Sequence, residues 1–190
     1  MRYTLLLLAL PLFLCFCKKD DNPVPSEPVK PYVPIIELGK YSVLRNGKPY
    51  TGKMGAQYRK YNGVKTIAIY GSLFTYNGLV EEIVDISDNP LREGQYRIDP
   101  SITINSLGDG TPDASITWHI DVDQYGGSQL VDTSRTDHYM EIIRYDSVQH
   151  TVEGKFQVFF RQAAGEPLIV PGLPDTISFT QGIFHLKISN

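Results

Sequence analysis

One imidazole and two carboxylates alternate along a predicted strand, in the pattern His119-x-Asp121-x-Asp123. Alternate residues of a β-strand share a face and lie about 7 Å apart, so these three side chains form a row. Imidazole and carboxylate groups bind divalent metals, but the row is too stretched to hold one ion without ligands from elsewhere. We therefore predict a solvated strand face, with a metal site at these three residues as the alternative, and we expect no cofactor.

A second group of reactive side chains is close in sequence: Asp132, Ser134, Asp137 and His138. Acid, hydroxyl and imidazole are the members of a hydrolytic triad, yet no Gly-x-Ser-x-Gly motif surrounds a serine. The two acids of a glycoside hydrolase need only meet in space, so the 21 acidic residues leave that chemistry open. We assign no catalytic residue and keep a carboxylate-dependent, glycosidase-like hydrolase as an alternative function.

The chain contains twelve tyrosines, and aromatic rings are a common platform for binding sugars. Tyr125 lies in a Gly-rich stretch, Gln124–Gly127, which we predict to be a loop that could present the ring to a glycan. Most other tyrosines lie in strand-like stretches, where core or cross-strand packing is expected. These include Tyr41, Tyr70, Tyr96 and Tyr139.

The elements that must position these residues read as strands. Ile116, Trp118, Ile120 and Val122 alternate with polar residues and are predicted to face the core. Val152–Phe160 alternates in the same way, and Gly154 falls on its apolar side, where the missing side chain would admit a neighbour or a bulge. Such one-sided strands must share a core between two sheets or within a closed one.

Turn signals separate these strands. Asn46-Gly47, Asn62-Gly63 and Asn77-Gly78 are hairpin pairs, and residues 180–182 are predicted to turn between strands at 176–179 and 183–188. No stretch indicates a helix. The predicted fold is all-β: an antiparallel, meander-rich sandwich or flattened barrel of about eight to ten strands.

Cysteine content and charge exclude several functions. The cysteines are Cys15 and Cys17, so the later chain has no disulfide, thiol nucleophile or Cys-ligated zinc site. Arg2 lies in the first 16 residues, which are predicted below to be removed as a signal peptide. The remaining chain has 17 basic and 21 acidic residues and therefore a net charge of −4. This mild acidity gives no reason to expect nucleic acid as a partner.

The first residues have the pattern of an export signal. Arg2 precedes an apolar run to Phe16, which is too short to cross a bilayer but suits a secretory signal peptide. Five prolines between Asn22 and Pro34 favour an extended tether. We therefore predict a signal peptide at 1–16, a charged segment and extended tether at 17–34, and one β domain at 35–190.

This leader resembles a bacterial lipoprotein signal, in which Leu14 takes the motif's leucine position and Cys17 becomes the lipid attachment site. Lys18-Lys19-Asp20-Asp21 resembles the export signal of surface lipoproteins of Bacteroidota. The domain itself is similar to uncharacterised lipoproteins of that phylum with a single β domain. The resemblance covers roughly Tyr41–Ile188 and rests on Arg45–Lys48, Gly94–Tyr96, Val152–Phe156 and Ile177–Phe184.

The resemblance implies a lipid-anchored outer-membrane protein that faces the cell exterior, and it transfers no catalytic residue. We expect a non-enzymatic protein whose binding partner is a glycan, another ligand or an envelope protein. A purely structural envelope role and the hydrolase are the alternatives. Its expected partners are therefore the outer membrane, through the lipid on Cys17, and a glycan or envelope protein.

Overall fold

The computed structural model describes residues 35–61, 63–76, 80–100, 111–120, 124–162 and 172–190. These residues form eleven strands, and none of them forms a helix long and apolar enough to cross a membrane. The predicted all-β class is confirmed, with one strand more than expected. The strands are β1 (Lys40–Arg45), β2 (Lys48–Lys53), β3 (Gly55–Tyr61), β4 (Val64–Tyr76), β5 (Val80–Pro90), β6 (Gly94–Arg97), β7 (Asp113–Ile120), β8 (Gln124–Val131), β9 (Tyr139–Asp146), β10 (Thr151–Gln162) and β11 (Thr176–Ser189).

All eleven strands belong to one mixed sheet, in the order β2-β1-β11-β3-β4-β5-β7-β8-β10-β9-β6, with a further pairing between β11 and β10. Among the described strands, the one parallel contact is the two-residue pairing of β11 with β3. β10 pairs with β8, β9 and β11, while β11 pairs with β1, β3 and β10. These two long strands therefore join the rest of the sheet, an arrangement consistent with a sandwich or a flattened barrel.

The core is formed by the inward faces of the strands. On β7, Ile116 and Trp118 are at most 1% exposed, whereas Thr117 and His119 are half-buried on the opposite side. The predicted dry face is confirmed for these residues, and Val122 lies outside the described residues. The largest buried side chains include Trp118, Tyr41, Phe156, Phe160, Phe179 and Phe184.

Two glycines let aromatic rings lie against the backbone of β10 and β11. Gly154 is opposite Phe184, and Gly182 is opposite Phe156. A Cβ at either glycine would overlap the facing ring, and the two ring centroids are 6.4 Å apart. The predicted close approach at Gly154 is confirmed, and the pairing of β10 with β9 shifts register beside it.

Two turn predictions are wrong. The predicted hairpin at residues 180–182 is an irregularity inside the continuous strand β11, where Gln181 has a φ of 53° and the register with β1 and β10 shifts. One residue in the left-handed region makes a bulge there instead of reversing the chain. The stretch Gln124–Gly127, predicted to be a loop, is the first half of β8.

The Asn-Gly prediction is confirmed at the turn between β1 and β2. Asn46 and Gly47 have φ values of 48° and 75°, the left-handed pair that a type I′ hairpin requires. Asn46 also accepts a hydrogen bond from the backbone N–H of Ser178 at 2.8 Å, which fixes this turn to β11. Asn62 and Asn77-Gly78 lie outside the described residues.

The segment before β1 is fastened to β10 and β11. The Ile35 N–H donates to Glu153 Oε1 at 2.5 Å, and Nδ1 of His185 lies 3.1 Å from the Ile36 carbonyl oxygen. Gly39 N–H donates to the carbonyl oxygen of His185 at 2.6 Å. Glu153 is only 2% exposed. The entry to the domain is therefore held in place by backbone and side-chain contacts rather than by β1 alone.

Candidate functional site

A cavity of about 480 Å³ lies on the outward face of β6, β9 and β10. Its volume is within the range of small-molecule sites, about 300–1,000 Å³. We call it the Tyr139 cavity. Its lining comes from β6, the connection between β8 and β9, the start of β9, and the middle of β10. The lining residues are Gln95, Tyr96, Arg97, Thr136, Asp137, His138, Tyr139 and Gln157.

Strand register places three outward side chains of the cavity in one row. Arg97 on β6 is opposite Tyr139 on β9, and Tyr139 is opposite Gln157 on β10. Paired strands lie about 4.8 Å apart, so the guanidinium, phenol and amide groups are neighbours. The next residues along β9 and β10 after this row, Met140 and Val158, are fully buried. Alternation therefore directs the row of three away from the core.

Asp132 organises the connection between β8 and β9. Its Oδ1 accepts from the backbone N–H and the hydroxyl of Ser134 at 3.0 and 2.7 Å, and its Oδ2 accepts from Arg161 at 3.1 Å. Burial alone would raise the pKa of Asp132, but the Ser134 donors and Arg161 outweigh it and hold the pKa below its usual range. The charged carboxylate thus holds one wall of the cavity in shape.

His138 supports the same wall from behind. The ring is 2% exposed, its Nδ1 lies 3.3 Å from the backbone N of Phe159, and its Nε2 lies 3.0 Å from the carbonyl oxygen of Asp132. These partners assign the neutral tautomer with the proton on Nε2. Both ring nitrogens therefore bond to backbone, and the Ser134 hydroxyl donates to Asp132 instead of to His138. The structure brings these residues together as a turn and not as a triad.

The carboxylate in the cavity is already paired. Arg135 donates to both oxygens of Asp137 at 3.0 and 2.7 Å, and its guanidinium lies 3.6 Å from the centre of the Phe159 ring. Gln157 donates to the carbonyl oxygen and to Oδ2 of Asp137 at 3.1 and 3.2 Å. The hydrogen bonds from Arg135 lower the pKa of Asp137 against the opposing effect of burial. Asp137 is therefore ionised and largely saturated.

Arg97 and the Tyr139 hydroxyl differ from the rest of the lining. Arg97 is exposed, and neither group has a hydrogen-bond or ion-pair partner within the described part of the chain. A guanidinium offers up to five N–H donors, and a phenol offers one donor and an acceptor. These groups are free to bind a ligand that enters the cavity.

A second charged cluster lies in the interior. Glu82 is 3% exposed, and its two oxygens accept from Arg45 at 3.1 and 2.6 Å, with the indole N–H of Trp118 a further 3.2 Å from Oε2. Burial, followed by the adjacent Tyr50, raises the pKa of Tyr41 beside this cluster. Because β1 and β5 are not paired, the ion pair joins distant strands across the core. Its hydrogen-bonding capacity is used internally.

A third cluster links β3 to the turn between β9 and β10. The Tyr58 hydroxyl lies 3.0 Å from that of Tyr145 and 3.1 Å from Nδ1 of His150, and the Lys65 ammonium is 3.9 Å from the centre of the Tyr58 ring. Burial, and then the hydrogen bond to Tyr145, raises the pKa of Tyr58 to about 12. These groups satisfy one another.

The metal-site alternative of the sequence receives no support from the described residues. His119 lies on the outward side of β7, while Asp121 and Asp123 lie outside the described residues. No group of three or more His, Cys, Asp or Glu side chains in the described ranges is placed to hold a metal ion. Cys17 and the segment Lys18, Lys19, Asp20 and Asp21 also lie outside the described residues.

The tyrosines divide between core and surface. Tyr41 is fully buried, as predicted. Tyr125 is 47% exposed, but it lies on β8 with its hydroxyl 2.9 Å from that of Ser128, and not in a loop. Tyr139 lies on β9 between Arg97 and Gln157 of the neighbouring strands, in a strand as predicted, and it lines the cavity on the outward face. Sequence reasoning did not single out Arg97 or Gln157, although alternation along β6 and β10 places both on polar faces.

No family model matches this chain, and no curated protein or solved structure is similar enough to it to count as a match.

Proposed function

We propose that this protein is a lipid-anchored, non-enzymatic protein of the outer-membrane surface, and that the Tyr139 cavity binds a carbohydrate. The observation that carries the proposal is the row Arg97–Tyr139–Gln157, in which an outward aromatic ring is flanked by planar hydrogen-bonding groups. A sugar ring has an apolar C–H face and a rim of hydroxyls. An aromatic ring beside convergent polar groups complements both features.

The composition of the lining favours binding over hydrolysis. A glycosidase needs two carboxyl groups, separated by about 5–9.5 Å, across the bond that it cleaves. Among the described lining residues, Asp137 is the one carboxylate, and Arg135 and Gln157 already bind it. Such a residue can accept a sugar hydroxyl but lacks a partner acid. The proposal is therefore a binding protein that delivers or retains a glycan.

Binding is tested with the full chain purified in detergent. Isothermal titration calorimetry against a panel of oligosaccharides is expected to find at least one ligand, with Tyr139→Ala lowering the affinity at least about tenfold. Tyr125→Ala is the matched control, because Tyr125 is exposed but does not line the cavity. If no saccharide binds, or if both variants weaken binding equally, the carbohydrate proposal fails and a structural role is favoured.

The anchor is tested separately in cells of a lipoprotein-exporting host. Cys17→Ser is expected to abolish palmitate labelling, because Cys17 is the proposed lipid attachment site. Alanines at Lys18–Asp21 should leave the protein in the membrane but hide it from protease added to whole cells. Labelling that persists in Cys17→Ser would place the anchor elsewhere, and equal digestion of both forms would contradict the export signal.

A further inference from the structure

We infer that the ligand of the Tyr139 cavity is an anionic saccharide, and that Arg97 binds its carboxylate or sulfate group. This inference rests on the proposed function and adds the chemical class of the sugar. It starts from the position of Arg97 on β6, a four-residue strand that pairs with β9 and is the last of the described strands in the sheet order. The Arg97 side chain is exposed and faces the same side as Tyr139.

Arg97 forms no ion pair with any residue that the structure describes, although a carboxylate lines the same cavity. Asp137 is held by two hydrogen bonds from Arg135 and a third from Gln157, so these donors bind its carboxylate in place of Arg97. The structure records no ion pair between Arg97 and any described acidic residue. Arg135, which does not line the cavity, neutralises Asp137, so Arg97 leaves an excess of one positive charge among the described residues at this site.

The remaining charges on this face do not cancel that excess. Glu141 is the next outward residue on β9, and it lies directly opposite Lys155 on β10 and Gln95 on β6. Lys155 and Glu141 balance one another beyond the cavity. The net charge of the whole chain is −3, so the positive site is local and distinct from the general charge of the protein.

A guanidinium fits one class of sugar substituent better than others. Its planar pair of N–H groups matches the two oxygens of a carboxylate or of a sulfate, and such charge-assisted contacts are about twice as strong as neutral ones. The Tyr139 ring beside it supplies the apolar contact that a free inorganic anion would not use. The combination of ring, amide and unpaired guanidinium therefore selects a uronic acid or a sulfated sugar over a neutral one.

The experiment compares three probes of similar length with the full chain: oligogalacturonate, a sulfated galacto-oligosaccharide, and a neutral galacto-oligosaccharide. Wild type is expected to bind one acidic probe at least about tenfold more tightly than the neutral one. The two acidic arms distinguish carboxylate from sulfate. Arg97→Gln should remove this preference while leaving the weak neutral affinity, and Arg97→Lys should restore part of it.

Lys155→Gln is the control, because it removes a positive charge from the same face without touching the cavity lining. Its affinities should equal those of wild type. Equal affinity of wild type for neutral and acidic probes, or an Arg97→Gln variant that keeps the preference, would overturn this inference and leave the carbohydrate proposal standing. Absence of binding to all three probes would overturn this inference, and the carbohydrate proposal would fail with it if no member of the oligosaccharide panel binds either.

Discussion

Two charged clusters in this domain use arginine in opposite ways. In the interior, Arg45 donates to both oxygens of Glu82 and Trp118 donates to one of them, and Glu82 is 3% exposed. At the Tyr139 cavity, Arg135 neutralises Asp137 in an exposed pair, and Arg97 beside it has no partner among the described residues. The interior cluster therefore has no donor or acceptor available to a ligand, whereas the cavity has the Arg97 guanidinium available.

The difference follows from solvent. A buried charge without a partner costs several kcal/mol, so the core admits Glu82 only with its donors in place. At the surface, water solvates an unpaired guanidinium, and a ligand that displaces this water finds the charge available. Interior charges in this fold should therefore govern stability, and cavity charges should govern binding.

The largest stability loss is expected for Trp118→Ala. Truncating a buried aromatic side chain costs about 3–5 kcal/mol, and this variant also removes a donor from Glu82. Urea unfolding curves give the loss directly. His119→Ala, the next residue on the same strand but on its outward side, should change stability by no more than about 0.5 kcal/mol. Similar losses for the two would contradict the assignment of the two faces of β7.

Glu82→Ala should rank next, with a loss of about 3 kcal/mol, because it leaves Arg45 without its partner. The value is at the lower end for a broken buried pair, since the Arg45 side chain retains 19% exposure. The double variant Arg45→Met with Glu82→Leu should recover much of this loss in the same unfolding assay. A double variant as unstable as the sum of the single changes would show that the pair is not the relevant interaction.

Asp132→Asn tests a charge that is expected to contribute less to stability than Glu82 and more than the exposed pair of Arg135 and Asp137. Its folded pKa lies below the unfolded value of about 3.9, so the charge stabilises the fold above that pH, and the effect disappears as pH falls through the folded pKa. At pH 7 the variant should lose about 1.5–3 kcal/mol. As the pH falls through the folded pKa of Asp132, the unfolding curve of the variant should approach that of wild type. A difference that stays constant from pH 7 to pH 2 would exclude the charge as the cause.

Arg135→Ala should have the smallest effect. Its pair with Asp137 leaves the two side chains 43% and 47% exposed, and exposed pairs often contribute nothing measurable to stability. The unfolding midpoint should match wild type, whereas ligand affinity should change because Asp137 loses its partner. A destabilisation as large as that of Glu82→Ala would show that the two clusters do not differ as described.

The sequence pattern correctly predicted the features that depend on neighbouring residues alone. Alternation placed Trp118 inward, the missing side chain at Gly154 anticipated a close approach, and Asn46-Gly47 marked a hairpin. The same reasoning failed at Gln181, because a bulge and a turn use the same residue types and only the partner strands distinguish them.

The sequence pattern could not predict contacts between residues that are far apart in the chain. Glu82 reads as a surface residue until Arg45, 37 residues away, is known to reach it across the core. Arg97, Tyr139 and Gln157 lie on three strands whose register no local signal specifies. A cavity assembled in this way can be recognised only after the sheet order is known.

The position of β11 in the sheet has a consequence for the order of folding. This strand is the shared neighbour of β1, β3 and β10, and its contacts include Ser178 with Asn46, 132 residues earlier. Contacts so distant in sequence form slowly, because a long loop must close before any of them stabilises the chain. During synthesis, the edges of β1, β3 and β10 lack this partner until residues 176–189 emerge. Until then, the nascent chain presents three unpaired edges that other strands can join.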